Sequence, residues 1–211
     1  MVKIALDPAM YHATLSVADE VRKAAELVSE FSGDPNDARR SEHAFYRSME
    51  DLAPVFEQYG IALNLDAHPY DFIERNDYAV QIIRGLNLPW VNYVFCAPHA
   101  FHLDDGIGDV RRMMEYAGDK LTHLHIADCY NHKANVGNRY IINPPGADVR
   151  IHQHNEIGNG DLDWDRFFAA VRHVNFDGVA TVCVFGWEET ADDIHRRMLE
   201  RVTSELSGGM K

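Results

Sequence analysis

The stretch LTHLHIA (121–127) decides the fold. It is short, apolar and partly β-branched, the pattern of a strand, and its period of two sets His123 and His125 on one face with Leu124 on the other. Two histidines on an inward face are costly unless bonded, so the C-terminal end of this strand is a place where chemistry is expected. Working outward, similar runs occur at KIALD (3–7), VSEF (28–31), IALNLD (61–66), WVNYVFC (90–96) and VATVCVF (179–185).

Between them lie helical patterns. In 41–59, Phe45, Met49, Leu52, Phe56 and Tyr59 recur near helical spacing, Pro54 predicts a kink and Gly60 stands at the C-cap. Further helices are predicted at 76–84, 109–117, 163–174 and 190–206, with Gly85, Gly118 and Gly178 marking the returns. Strand and helix alternating down the chain mean a parallel sheet covered by helices. Asp7, Glu30, Asp66, Cys96 with His99, His125 and Cys183 each fall at or just past a strand's C-terminal end. That recurrence favours a (β/α) TIM-type barrel, whose chemistry sits at this face, over an open doubly wound sheet, which would need a glycine-rich phosphate turn.

Six strand–helix units are counted where a closed barrel has eight. The place of the shortfall is visible: SVADEVRKAAELVSEFSG passes from helix into strand between Leu27 and Val28 without a turn residue. Residues 1–206 read as one domain and 207–211 as a loose tail. A net charge of -13, from 33 acids against 20 bases, argues against nucleic acid as a partner. Three cysteines without CxxC spacing favour a reducing cytoplasm, and the absence of a long apolar run or secretory signal excludes a membrane span.

Twelve histidines are many for 211 residues, and eight of them lie between 68 and 154. Asp66 is followed by His68 and reads as a metal ligand, a general base or a helix N-cap. His125, nearer the strand end, is the better ligand, and His123 reads as a bonded core histidine one layer down. In CAPHAFH, His99 shares the strand end while His102, in the same expected loop, carries little weight alone. In IHQHNEIGNG (151–160), His152 and His154 project together and Gly158 and Gly160 turn the chain back into a helix that Asp161 or Asp163 caps. Trp187, with Glu188 and Glu189, borders a pocket or covers the core.

At HLH, HQHNEIGNGDLDW and this strand-end pattern the sequence resembles the xylose-isomerase-like superfamily of metal-dependent barrels, which holds sugar epimerases, isomerases and apurinic endonucleases. More narrowly, LDPAMYH, CAPHAFH, NRYIINPPG, VRIHQHNEIGNGDLDW and TVCVFGWEE resemble the myo-inositol catabolism proteins, described as sugar phosphate isomerases or epimerases. The resemblance spans essentially the whole chain. It implies a barrel lacking the second and third strand–helix units, or a sequence that omits them; a truly open barrel would leave two edges that invite homo-oligomerisation or covering by loops.

Carried over residue by residue, the resemblance puts the fifth-strand acid on Asp66, the seventh-strand histidine on His125, the histidine beyond the sixth-strand ligand on His99 and the loop pair on His152 and His154. Asp66 is then expected as metal ligand or base, His99, His125 and His154 as metal ligands or polar substrate contacts, and Glu30 as a further ligand or catalytic acid. His68, His102, Arg139, His152 and Trp187 then face the substrate. Two positions depart from the family pattern: Cys96 replaces the sixth-strand aspartate and Cys183 the eighth-strand glutamate. The implied function is isomerisation or epimerisation of a sugar or inositol derivative by proton transfer beside a carbonyl, with a divalent metal. Histidine-rich ligation favours manganese, zinc or cobalt over magnesium. A non-catalytic sugar-binding or scaffold barrel, which has lost the second carboxylate, is the alternative.

Overall fold

The computed structural model describes residues 3–6, 38–69, 72–103, 108–129, 154–184 and 190–207, with side chains described at these positions except 3–6, 38, 102 and 103. The expected strand at 28–31, the helix-to-strand junction at Leu27–Val28, and Glu30, Arg139, His152 and Trp187 lie outside the described residues.

The elements run β1 (Lys3–Leu6), α1 (Ala38–Tyr59), β2 (Leu63–Asp66), α2 (Asn76–Leu86), β3 (Val91–Cys96), α3 (Ala97–Leu103), α4 (Val110–Ala117), a 3-10 turn (Gly118–Lys120), β4 (Leu121–Ile126), α5 (Trp164–His173), β5 (Val179–Val182) and α6 (Ala191–Ser207). All strand pairs are parallel, in the order β1-β5-β4-β3-β2. Strands β2 to β5 lie side by side in chain order, and then the last pairs with the first. That return of the final strand to the initial one is how a barrel closes; among the described residues the two edges of the sheet are β1 and β2.

Helices cover the outer face. Tyr93, Phe95, Leu124, Ile126, Ala180 and Val182 are fully buried there, and Phe95 meets Phe167 of α5 at 6.3 Å between ring centroids. Each such side chain contributes about 1.5–3 kcal/mol by leaving water. The amphipathic face of α1 buries Phe45, Met49, Leu52 and Phe56, with Phe56 stacked on Trp90, and Gly60 leaves the helix at φ +63° as the C-cap pattern predicts. Asp109 and Asp163 cap α4 and α5 by accepting from the backbone N–H groups of Arg112 and Arg166.

Three expectations are corrected. The segment after β3 is the helix Ala97–Leu103 and not a loop; Pro98 in its first turn needs no amide partner, and Ala97 and Ala100 are buried beneath it. Gly85 does not end α2, which continues to Leu86; Asn87 adopts the left-handed conformation instead and its N–H closes on the Arg84 carbonyl. The runs at 61–66 and 179–185 form shorter strands, Leu63–Asp66 and Val179–Val182.

A bulge between β3 and β4 positions the site. Tyr93 pairs with Leu121 but Val94 with His123, so Thr122 is the extra residue. Without it Leu124 would stand opposite Cys96; with it His125 does.

Candidate metal centre

Five donor side chains converge at the C-terminal ends of the strands. Asp66 ends β2, Cys96 ends β3, His99 lies in the first turn of α3, His125 is the penultimate residue of β4, and His154 enters beside Cys183, just past β5. The thiol of Cys96 and one ring nitrogen each of His99 and His154 lie within 4.8 Å of one another, as do the donor atoms of Asp66, Cys96 and His125. Cys96 belongs to both groups.

The contacts fix orientation. His99 Nδ1 donates to the Ala67 carbonyl at 2.9 Å and to Asp66 Oδ1 at 3.1 Å; His125 Nδ1 lies 3.3 Å from Asp66 Oδ2. His154 Nδ1 donates to the Cys183 carbonyl at 2.8 Å, and its Nε2 lies 3.3 Å from His99 Nε2. Nitrogens sharing a tetrahedral zinc at about 2.0–2.1 Å sit roughly 3.3 Å apart, so this spacing is what such an ion requires. Cys96, His99 and His154 are buried, whereas the side chains of Asp66 and His125 keep 26% and 23% of their surface open, so the cluster has a wet end and a dry end.

The electrostatics follow. Burial pushes the Asp66 carboxyl up, but His99 and His125 outweigh it and hold the acid well below the usual carboxylate range. Burial, with Asp66, Cys183 and Cys129 adding to it, pushes the Cys96 thiol well above the usual range, against a hydrogen bond from the His99 backbone N–H. Burial, with His99 beside it, pushes the His154 imidazole well down. One layer below, burial and then His125 push His123 down to about 4, and its Nε2 meets Thr181 Oγ1 at 2.6 Å.

Of the other residues singled out from sequence, His68 is half-buried, packs edge-on against His99 at 4.6 Å between centroids and donates from Nδ1 to the Pro69 carbonyl. His102 falls in α3.

Sequence reading missed Asp128. This fully buried carboxylate accepts from the backbone N–H groups of Cys129 and Gly158 at 2.8 Å, of Leu162 at 3.2 Å, and from Trp164 Nε1 at 2.9 Å. Its backbone exchanges two hydrogen bonds with Asn155, the neighbour of His154. The glycines of IHQHNEIGNG now have a reason: Gly158 is at φ +93°, and a Cβ on Gly160 would run into the Asp128 carboxylate and come within 2.7 Å of the Cys129 nitrogen. An acid following a histidine-bearing strand, paired with a downstream GNG, was the available signal.

Residues 11–201 match the family model described as the xylose isomerase-like TIM barrel. The chain belongs to that family, and its parallel sheet with the last strand paired to the first is a partial barrel of that type. No curated protein sequence matches the chain. Among solved structures it is similar to the IOLI protein with a bound zinc atom (TM-score 0.54, 20% identity, 80% of this chain and 58% of that one). It is also similar to D-allulose 3-epimerase from Methylomonas sp. in complex with D-allulose (0.57, 18%, 81% and 56%) and to a D-tagatose 3-epimerase-like protein (0.57, 16%, 97% and 79%). The chain thus spans under three fifths of the length of the first two. Among the described residues no helix is long and apolar enough to cross a membrane.

Proposed function

We propose that the chain is a divalent-metal-dependent isomerase or epimerase of a sugar or inositol derivative, moving a proton next to a carbonyl. The observation that carries the reading is the convergence of Asp66, Cys96, His99, His125 and His154 at the strand ends of a xylose isomerase-like barrel. Solved structures of like fold hold a zinc atom in one case and D-allulose in another, which supports the metal and the substrate class.

Asp66, His99, His125 and His154 would hold the metal; the donor set of imidazole, carboxylate and thiol fits manganese, zinc or cobalt better than magnesium. When bound, such an ion polarises a carbonyl and stabilises the charge that develops on its oxygen. Asp66, tied to two imidazoles and held ionised, suits a ligand better than a base. The proton-moving acid then falls to Glu30, at the end of the strand expected at 28–31. The partly open side chains of Asp66 and His125 give substrate its access, and His68 packs against His99 beside them. We assign His102, Arg139, His152 and Trp187 to the substrate side.

The test is metal content per chain by elemental mass spectrometry on untagged protein, followed by carbon-bound proton exchange of ketoses and inosose-type sugars in deuterium oxide. About one equivalent of a transition metal with exchange that Asp66→Asn abolishes is expected; metal-free protein after incubation with manganese and zinc would overturn the reading. A second reading, a sugar-binding barrel without turnover, is favoured by one observation: Cys96 and Cys183 are buried cysteines where the family resemblance implies carboxylates. Calorimetric binding of these sugars without proton exchange would establish it.

A further inference from the structure

We infer that Cys96 is itself a metal ligand and that, with His99 Nε2 and His154 Nε2, it forms a thiolate–imidazole site selective for zinc-type ions. The inference rests on the metal reading above and deepens it.

The tautomers carry the argument. A carbonyl oxygen can only accept, so His99 Nδ1, facing the Ala67 carbonyl, and His154 Nδ1, facing the Cys183 carbonyl, both carry hydrogen. In neutral imidazoles that leaves both Nε2 atoms with lone pairs, and they face each other at 3.3 Å. Two lone pairs at that distance repel, and a proton or a metal ion between them turns the repulsion into attraction. The Cys96 sulfur, within 4.8 Å of one ring nitrogen of each histidine, selects the metal. An imidazole that donates its other N–H to a backbone carbonyl is also the usual outer support of a metal-binding histidine, and both histidines here have it.

Burial strengthens the assignment. The three residues are 1%, 4% and 3% exposed, so they form the dry end of the cluster, next to the partly open Asp66 and His125. Soft thiolate with imidazole favours zinc and cobalt over manganese and magnesium. As the metal–sulfur bond forms, the Cys96 proton passes to solvent. The family pattern has a carboxylate at this position, so the substitution changes which metals the site prefers.

Titration of the metal-free full-length chain with cobalt(II), followed by absorption, reads the ligand atoms directly. One equivalent should bind with tetrahedral visible bands and a near-ultraviolet sulfur-to-cobalt charge-transfer band. That band should persist in Cys129→Ser and Cys183→Ser and vanish in Cys96→Ser, which should also bind cobalt more than about tenfold more weakly, at least what loss of an outer-shell partner costs. Should Cys96→Ser misfold by circular dichroism, the band surviving in the Cys129→Ser/Cys183→Ser double variant assigns the sulfur by elimination. Cobalt bound without the sulfur band, or a band lost with Cys129 or Cys183, overturns the Cys96 assignment while leaving the metal centre intact. No cobalt bound at all overturns both.

Discussion

Two carboxylates at strand ends, Asp66 after β2 and Asp128 after β4, are surrounded by donors in different ways. Asp128 is fully buried and satisfied by three backbone N–H groups and an indole, donors that cannot take up or release a proton near neutral pH. Asp66 keeps a quarter of its side-chain surface open and meets two imidazoles, donors that change charge and bind metals. The first arrangement builds a loop; the second leaves a carboxylate that a metal or substrate can reach. The partners of an acid, more than its burial, separate structure from chemistry here.

The largest effect is expected from Asp128→Ala, which strands four donors: a loss of about 3–5 kcal/mol in urea unfolding, with His154 displaced and metal binding lost. Gly160→Ala forces a Cβ into the same carboxylate and should cost about 1–3 kcal/mol, with weaker metal binding as a consequence. Asp66→Asn should cost only about 1–2 kcal/mol while removing turnover and most metal affinity. An Asp66 variant as unstable as Asp128→Ala would erase the distinction between the two acids.

The smallest effect concerns pH. His123 titrates near 4 in the folded chain, below its ordinary imidazole value, so between the two the unfolded state holds more protons. Stability should therefore fall as pH drops from about 6.5 to about 4 and level off below, as far as this group is concerned. His123→Gln should flatten that part of the profile in unfolding measured across pH; an unchanged slope would place its cause in the cluster above it.

The long-period features of this chain were legible and the short-range ones were not. Alternation in LTHLHIA and the four-residue rhythm of α1 gave strand, helix and barrel class, because each is repeated often enough to outweigh single exceptions. Helix α3 was hidden because its seven residues are too few to show a period and its two histidines resemble loop polarity. The bulge at Thr122 carries no signature of its own, since one extra residue is visible only against the partner strand. The convergence of His99 with His154, 55 positions apart, is supported by Asp128 holding Asn155 and Gly158 beside the end of β4, and Asp128 reads locally as an ordinary acid after a strand.

The pairing of β1 with β5 also sets an order of events during synthesis. Lys3 finds its register against Val179, so among the described residues the pairing of β1 joins segments far apart in the chain. Strands β2 to β5 neighbour one another in chain order and can assemble as they emerge, each closing a shorter span of chain than β1 must. Among the described residues β1 is an edge strand that depends on β5 for its pairing, which makes it the first place to look if the protein aggregates on expression.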